Sequence, residues 1–331
     1  MSCHSKKEDV AVRKLQHVEL DIPNLIIGSP GGLQKKGNNL IILDYKSDSL
    51  FHLIDINSKR YVGMFGGRGQ GPNELNHPNN IHFSGNRMYC YDVGKSEIKQ
   101  LELDATNINI SCSTVFRFKN HWRFDAIPIA GQRFVVNGCF EDAMFGIINE
   151  QNEILYTAES YPYKDEVEQK IPSRFRAMAY QGTMRLNNKG YMAFATSNAK
   201  LLYLYNISNG ELEKLGEVID RYAQYIPDAS MPGAYSVALD GKKPQGYTDL
   251  AVNDHFIFAL YSGRSFKEYK MSCSESEYIY VYDWNGKLVS LYKLDVPVNH
   301  ICIDEMEKKI YAISNLPDPV IVTFDYNEIR K

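Results

Sequence analysis

The feature that most constrains the fold is a pattern that occurs six times along the 331-residue chain. Each time, a run of β-branched and aromatic residues ends in Asp or Asn, which opens a polar turn that a further strand-like run usually follows. The residues that open these turns are Asp55, Asp104, Asn149, Asn206, Asp283 and Asp325. Their separations of 49, 45, 57, 77 and 42 residues suit a four-stranded repeat with loops of varying length. The pattern predicts an all-β fold, a β-propeller with six four-stranded antiparallel blades.

Each repeat divides into four strand-like segments, which we label A to D from the central axis outward. In the first repeat these segments are 24–29, 39–45, 49–55 and 60–66. The sixth repeat offers only three such segments. We expect residues 12–20 to supply its fourth strand, because an unpaired inner edge would expose backbone N–H and C=O groups and invite association.

Composition agrees with one globular β domain over 11–331, preceded by a disordered tether over 1–10. Hydrophobic residues make up 44% of the chain, and Tyr and Phe far outnumber Trp, as is typical of half-buried pleated surfaces. Only 160–182 and 217–230 are expected to hold short helices. A net charge of −3 and the absence of a long Lys/Arg tract exclude nucleic acid as a partner.

The six cysteines are widely scattered, with no C-x-x-C pair, so the sequence predicts neither a zinc knuckle nor a disulfide framework. Cys3, followed by the charged run 6–9, resembles the acceptor cysteine and tether of the lipoproteins that Bacteroidetes export to the cell surface. This resemblance implies an outer-membrane lipoprotein, periplasmic or surface-exposed, that touches the membrane only through a lipid on Cys3. The alternative is a disordered tail with an incidental cysteine.

The long insertions are expected to emerge on one face of the propeller. In such a ring, the links from strand D to the next strand A and the turns from strand B to strand C lie at the same rim. The long D-to-A links are 65–79, 117–124, 158–182 and 217–248, and the long B-to-C segments are 137–145 and 261–278. Loops of this length in a compact domain are usually functional or disordered, and their aromatic and Arg content favours function.

One of these loops, residues 66–75 (GGRGQGPNEL), resembles the G-R-G-x-G-P-x-E-[FL] signature of six-bladed TolB-like propeller lipoproteins of Bacteroidetes, which share NHL-like blade spacing. The resemblance implies the propeller fold and a binding or surface role, without naming a ligand. Asn73 and the long 217–248 insertion depart from the family pattern. Arg68 could point toward the channel mouth with Glu74 neutralising it, or the pair could simply pin a turn between blades.

Arg and aromatic residues of the other loops could converge over the channel, where they would suit carboxylates, sugars or peptide backbones. Trp122 is either a stacking platform or a plug over the core. Trp284 lies in a turn on the opposite face, where we expect no function. The predicted ligand-binding residues are Arg68, Glu74, Trp122, Arg174, Arg176, Tyr222, Tyr225 and Arg264.

No motif predicts catalytic residues. Glu141 and Asp142 are adjacent in a turn, the histidines are scattered, and neither H-E-x-x-H nor G-x-S-x-G occurs. Metal-dependent lactonases on six-bladed propellers use oxygen ligands at inner-strand tips, where this chain offers Asn79, Asn80, Asp125, Asp249 and Asn299. Those residues could hold Ca²⁺.

The sequence therefore predicts a monomeric, noncatalytic propeller that needs no cofactor and binds a glycan, a peptide or an envelope protein. The alternative is a Ca²⁺-dependent hydrolase, lactonase or lyase with carboxylates at the channel mouth. A third reading is a scaffold that contacts another envelope protein.

Overall fold

A computed structural model describes residues 10–103, 110–119, 122–208, 210–230, 235–326 and 329. Its N-terminal part forms two short strands, β1 (Val12–Leu15) and β2 (His17–Glu19). Six sheets, the blades, form a ring. In blades 1 to 5 four strands pair antiparallel in sequence order, whereas blade 6 has three such strands and takes β2 as its fourth. The predicted six-bladed β-propeller is therefore confirmed.

The strands of blades 1 and 2 are β3 (Pro30–Lys36), β4 (Asn39–Asp44), β5 (Ser49–Asp55), β6 (Arg60–Gly67), β7 (Pro78–Ser84), β8 (Arg87–Asp92), β9 (Glu97–Glu102) and β10 (Cys112–Arg117). Blade 3 consists of β11 (Arg123–Ile129), β12 (Arg133–Phe140), β13 (Ala143–Asn149) and β14 (Ile154–Ser160). Two helices then precede blade 4, α1 (Glu166–Gln169) and α2 (Ser173–Ala179).

Blade 4 consists of β15 (Gly182–Leu186), β16 (Tyr191–Thr196), β17 (Lys200–Ser208) and β18 (Glu211–Arg221). A separate hairpin follows, β19 (Tyr225–Asp228) with β20 (Ser236–Leu239). Blades 5 and 6 contain β21 (Tyr247–Val252), β22 (Phe256–Tyr261), α3 (Phe266–Tyr269), β23 (Ser276–Asp283), β24 (Leu288–Val298), β25 (His300–Asp304), β26 (Lys309–Asn315) and β27 (Pro319–Asp325).

The N-terminal strands close the ring, although not at the predicted edge. Strand β2 pairs antiparallel with β27 and becomes the fourth strand of blade 6. It occupies the outer edge rather than the inner one, because β25 already lies innermost in that blade. Strand β1 pairs in parallel with β24 and adds a fifth strand to blade 5. Residues 12–20 therefore join two blades.

Four local predictions were wrong. The segment 137–145 is not a long loop, because β12 ends at Phe140 and β13 begins at Ala143. Helix α3 lies outside the two ranges that were expected to hold helices. Residues 24–29 form no strand, and the inner strand of blade 1 is β3, whose Leu33 is fully buried. Residues 217–230 contain the end of β18 and strand β19 rather than a helix. Within 160–182, short helices do form. In the described part of the chain no helix is long and apolar enough to cross a membrane.

Side-chain hydrogen bonds explain three of the six Asp and Asn signals. The Oδ1 atoms of Asp55, Asn149 and Asp283 each accept hydrogen bonds from backbone N–H groups two to four residues further on. These contacts replace bonds that the turn backbone would otherwise lack. Each residue therefore marks the turn from strand C to strand D, while Asp104 lies outside the described residues.

Candidate functional site

The strand order places the long segments at one rim. In every antiparallel blade, strand D ends where strand A of the next blade begins, and strands B and C meet at that same rim. Five of the six segments that the sequence predicts to be long leave the sheets there. The sixth, 137–145, is a tight turn at Glu141 and Asp142 between β12 and β13. We call this rim the loop-rich face.

A cavity of about 470 Å³ opens at this face beside blade 3. Its floor and walls combine aromatic, aliphatic, hydroxyl and charged side chains. The described residues that line the cavity are Trp122, Arg123, Cys139, Phe140, Glu141, Ile154, Thr157 and Arg174.

Three of the long segments meet at the mouth of the cavity, around Tyr235 of the 217–248 link. The Tyr235 ring packs edge-on against Trp122 and Phe175, with centroid separations of 5.4 and 5.2 Å. Arg174 Nη1 donates to the Tyr235 hydroxyl at 3.2 Å, and its guanidinium lies 5.0 Å from the ring centroid. The 217–248 insertion thus holds Trp122 and Arg174 in place.

Helix α2, which carries Arg174, is also tied to blade 3. Its first residue, Ser173, donates from Oγ to the Glu141 carbonyl at 2.5 Å. Phe175 is buried on the inner side of the helix, whereas Arg174 is exposed on the outer side. The link therefore presents the Arg174 guanidinium at the cavity mouth.

A β-bulge aims Arg123 at the cavity. Arg123 pairs with Gly138, but Asp125 pairs with Asn137, so Phe124 is an extra residue in strand β11. A bulge of this kind reverses the alternation of side chains along a strand. As a result Arg123 lies on the side of Phe140, with its guanidinium carbon 3.8 Å from the ring centroid.

Two glycines make room for this arrangement. A Cβ atom on Gly138 would lie 2.5 Å from the Trp122 carbonyl oxygen and 3.0 Å from the Arg123 Cα atom. A Cβ atom on Gly146 would lie 2.5 Å from the Phe140 ring. The close approach of strand and ring therefore requires glycine at both positions.

Arg123 is buried, with only 4% of its surface exposed. Its Nη1 donates to the carbonyl oxygens of Cys139 and Trp122 at 2.6 and 3.3 Å. Burial lowers the pKa of the guanidinium, and the titratable groups that act on it are Tyr91, Cys139 and Tyr161. Burial also raises the pKa of each of these three groups, so they are neutral at pH 7.

Of the predicted binding residues, Trp122 and Arg174 lie together in this cavity. Arg68 and Glu74 instead stabilise their own loop. Arg68 Nη2 donates to the Tyr45 carbonyl oxygen, and Glu74 Oε2 accepts from the Gly71 backbone at 2.7 Å. No ion pair joins Arg68 to Glu74 within the described residues. Lys95 adds hydrogen bonds to the carbonyls of the same loop at 2.8 and 2.9 Å. The side chains of Arg68 and Glu74 thus stabilise the turn formed by residues 66–75.

Arg176 and Tyr225 lie beneath the loop-rich face. Arg176 is buried and donates to the carbonyl oxygens of Ile171 and Tyr161. Tyr225 packs edge-on against Tyr180, and burial raises its pKa. Each of them orders the 158–182 or 217–248 link from inside.

Tyr222 and Arg264 have similar structural surroundings, while Cys3 lies outside the described residues. Tyr222 is partly buried against the core between blades 3 and 4. Arg264 binds two carboxylates of its own loop, Glu275 at 3.2 Å and Glu277 at 2.7 Å. Its charge is therefore already compensated.

The inner-strand tips proposed for Ca²⁺ meet around a guanidinium. Arg185 donates from Nη1 to Asn80 Oδ1 and from Nη2 to Asp249 Oδ1, both at 2.8 Å. Asn80 Nδ2 in turn donates to Asp125 Oδ2 at 2.6 Å, and His300 lies 3.4 Å from Asp249. No group of three acidic, His or Cys side chains suited to a metal ion occurs among the described residues.

Reasoning from sequence missed Arg123 and Tyr235. The residue pair Trp122-Arg123 at the start of an inner strand was a signal, because a charged side chain is unusual there. The bulge that turns Arg123 toward the cavity has no sequence signature. The contacts of Tyr235 join segments distant in sequence, so no local pattern marks them.

Comparisons with known proteins agree with the fold. A family model described as TolB-like 6-blade propeller-like matches residues 8–306. A search of curated proteins found no matching relative. A candidate exported protein of Bacteroides fragilis superimposes with a TM-score of 0.55 at 13% identity, over 96% of this chain and 95% of that one.

Two further solved structures have a similar fold. A luciferin-regenerating enzyme gives a TM-score of 0.52 at 10% identity, over 92% of this chain and 94% of that one. The Swd1 β-propeller domain of Myceliophthora thermophila gives 0.51 at 10% identity, over 90% and 83%. At such low identity the similarity concerns the fold alone.

Proposed function

Because the chain belongs to the TolB-like six-bladed propeller family, we propose that it is a noncatalytic binding propeller whose ligand occupies the cavity beside blade 3. The observation that carries this proposal is the meeting of Trp122, Arg123 and Arg174 around about 470 Å³ of open volume. Ligand pockets commonly have volumes of roughly 300–1,000 Å³ and combine apolar walls with a few polar groups.

The lining suits part of a glycan or a short peptide segment. The Trp122 ring offers an apolar face to a sugar ring or side chain, and Thr157 offers a hydroxyl group. Arg174 supplies a positive charge that is held by Tyr235 but not paired with a carboxylate within 4 Å in the described part of the chain. Ordered walls reduce the entropy that binding would otherwise lose.

A noncatalytic role is supported by the central channel. Arg185 already donates hydrogen bonds to the Oδ1 atoms of Asn80 and Asp249, which a metal ion at this point would need as ligands. A divalent cation at this point would have to displace a buried guanidinium from two hydrogen bonds.

We place the protein in the bacterial envelope, anchored through a lipid on Cys3. The charged run that follows Cys3 resembles a lipoprotein tether, and one structural neighbour is a candidate exported protein of Bacteroides fragilis. Expression with a lipoprotein signal sequence should yield a membrane-associated, acylated protein by mass spectrometry. Cys3→Ala should be released in soluble form, whereas equal membrane association of both would contradict the anchor.

A second candidate function is that of a scaffold for another envelope protein. It is favoured by exposed apolar side chains beside a second cavity of about 270 Å³, which Leu239 and Phe266 help to line. Ile226 is 71% exposed and Met271 is 81% exposed on the neighbouring hairpin and loop. Such residues suit a protein surface better than a polar ligand.

A glycan and peptide array tests the binding function. The wild-type protein should retain a small set of ligands, and Arg174→Ala should weaken their binding about tenfold, or roughly 1.4 kcal/mol. Arg87→Ala is the matched control, since Arg87 begins β8 at the opposite rim and its side chain is 59% exposed. Equal loss in both variants, or none in Arg174→Ala, would contradict the placement of the site.

A further inference from the structure

Arg123 differs from every other buried cation in the described residues. These cations are Lys99, Arg123, Arg176 and Arg185. Lys99 lies 2.8 Å from Glu97, and Arg185 lies 2.8 Å from Asp249. Arg176 has no carboxylate within 4 Å in the described part of the chain but donates to carbonyl oxygens from both Nε and Nη1. Arg123 has no carboxylate within 4 Å among the described residues and donates from Nη1 alone.

The unused atoms of Arg123 form one edge of its guanidinium. Nε is buried without a hydrogen-bond partner among the described residues, and Nη2 donates to none of them. Together these two nitrogens form a fork of parallel N–H groups, which matches the two oxygen atoms of a carboxylate. Stacking on Phe140 fixes the plane of that fork.

The surroundings of Arg123 leave its charge uncompensated. Tyr91, Cys139 and Tyr161 are neutral, because burial raises the pKa of each. Glu141 lines the cavity but is exposed, and no ion pair joins it to Arg123 or Arg174 within the described part of the chain. A buried charge without a partner is costly. An anionic group in the cavity would remove that cost.

We propose that the cavity takes a ligand bearing a carboxylate, and that Arg123 binds this carboxylate through Nε and Nη2. Arg174 adds a second positive charge at the mouth, and Trp122 covers the apolar part of the ligand. The inference rests on the proposed function, since it concerns the same cavity. An acidic sugar and a peptide C-terminus share the required group.

Matched acid and neutral probes test this inference on the wild-type protein. The protein is labelled with ¹⁵N-arginine, and the Nε–Hε signal of Arg123 is followed during titration. One pair is D-glucuronate and D-glucose, and the other is N-acetyl-alanyl-alanine and its C-terminal amide. The acid of at least one pair should shift the Arg123 signal and bind at least tenfold more tightly than its neutral partner. The responding pair identifies the source of the carboxylate.

A conservative variant distinguishes the effect of two parallel hydrogen bonds from the effect of the positive charge. Arg123→Lys keeps the positive charge but cannot make two parallel hydrogen bonds, so it should lose at least tenfold in affinity for the acid probe. Arg87→Lys should bind as the wild type does. The wild-type comparison decides the question even if Arg123→Lys fails to fold.

Several results would overturn the inference. These are equal affinity for both members of each pair, no response of the Arg123 signal, or a response to inorganic phosphate alone. If an array ligand depends on Arg174 but binds equally as acid and amide, the binding function stands and the carboxylate inference fails. If the acid probes bind while the array yields no ligand, the carboxylate site stands and the assignment of a glycan or peptide as the ligand fails.

Discussion

Closure of the ring by the N-terminal strands can be tested with one side chain. Leu15 at the end of β1 is 7% exposed and packs in the core between blades 5 and 6. Leu15→Ala removes three carbon atoms, worth about 2.4 kcal/mol in transfer free energy at roughly 0.8 kcal/mol each. A residual cavity should raise the loss of unfolding free energy to about 3–4 kcal/mol. Urea unfolding followed by circular dichroism measures it.

Val12→Ala is the matched control for this prediction. Val12 lies on the same strand but is 51% exposed, so its loss should stay below about 1 kcal/mol. The test depends on which of the two variants loses more unfolding free energy. If Leu15→Ala costs no more than Val12→Ala, the strand does not seal the blades and the reasoning is refuted.

Two further predictions concern the site and the channel. Gly138→Ala should lower stability by about 1–3 kcal/mol, because the added Cβ meets the Trp122 carbonyl; Gly67→Ala, with no atom within 4 Å, should unfold at the wild-type urea concentration. Burial opposes ionisation of Asp249, yet Arg185 and His300 hold its pKa below the usual value. The contribution of the ionised Asp249 carboxylate to the free energy of unfolding is therefore fully present above about pH 4. It is lost as pH falls through the pKa of Asp249 in the folded state. Asp249→Asn should cost about 3 kcal/mol at pH 7, and its urea midpoint should approach that of the wild type in acid; a constant gap would contradict this.

Much of the fold could be predicted from the sequence, because interactions between residues close in sequence determine the repeated turns. Asp55, Asn149 and Asp283 bond to the backbone of their own turns, so each signal is complete within a few residues. The same logic failed at 24–29, where an apolar run precedes the strand but does not belong to it. Apolar side chains there, including Ile27, pack in the core between blades 1 and 6 without joining a sheet.

The candidate site could be predicted only in part, since its key contacts depend on long-range packing. Trp122 and Arg174 could be identified because an aromatic residue and an arginine in long links between blades are suited to binding. Arg176, two residues further along α2, points to the opposite side of the helix and is buried. Arg123 was missed because the bulge at Phe124 decides which side of the strand it occupies.

Fluorescence of Trp122 tests the location of the site most directly. The chain has two tryptophans, and Trp284 is buried at the opposite rim, where its Nε1 donates to the Asn253 carbonyl. In Trp284→Phe, emission therefore reports on the cavity alone. Titration with an array ligand should change Trp122 emission with the same Kd as an independent binding assay. Binding that leaves Trp122 emission unchanged would contradict a ligand site in this cavity.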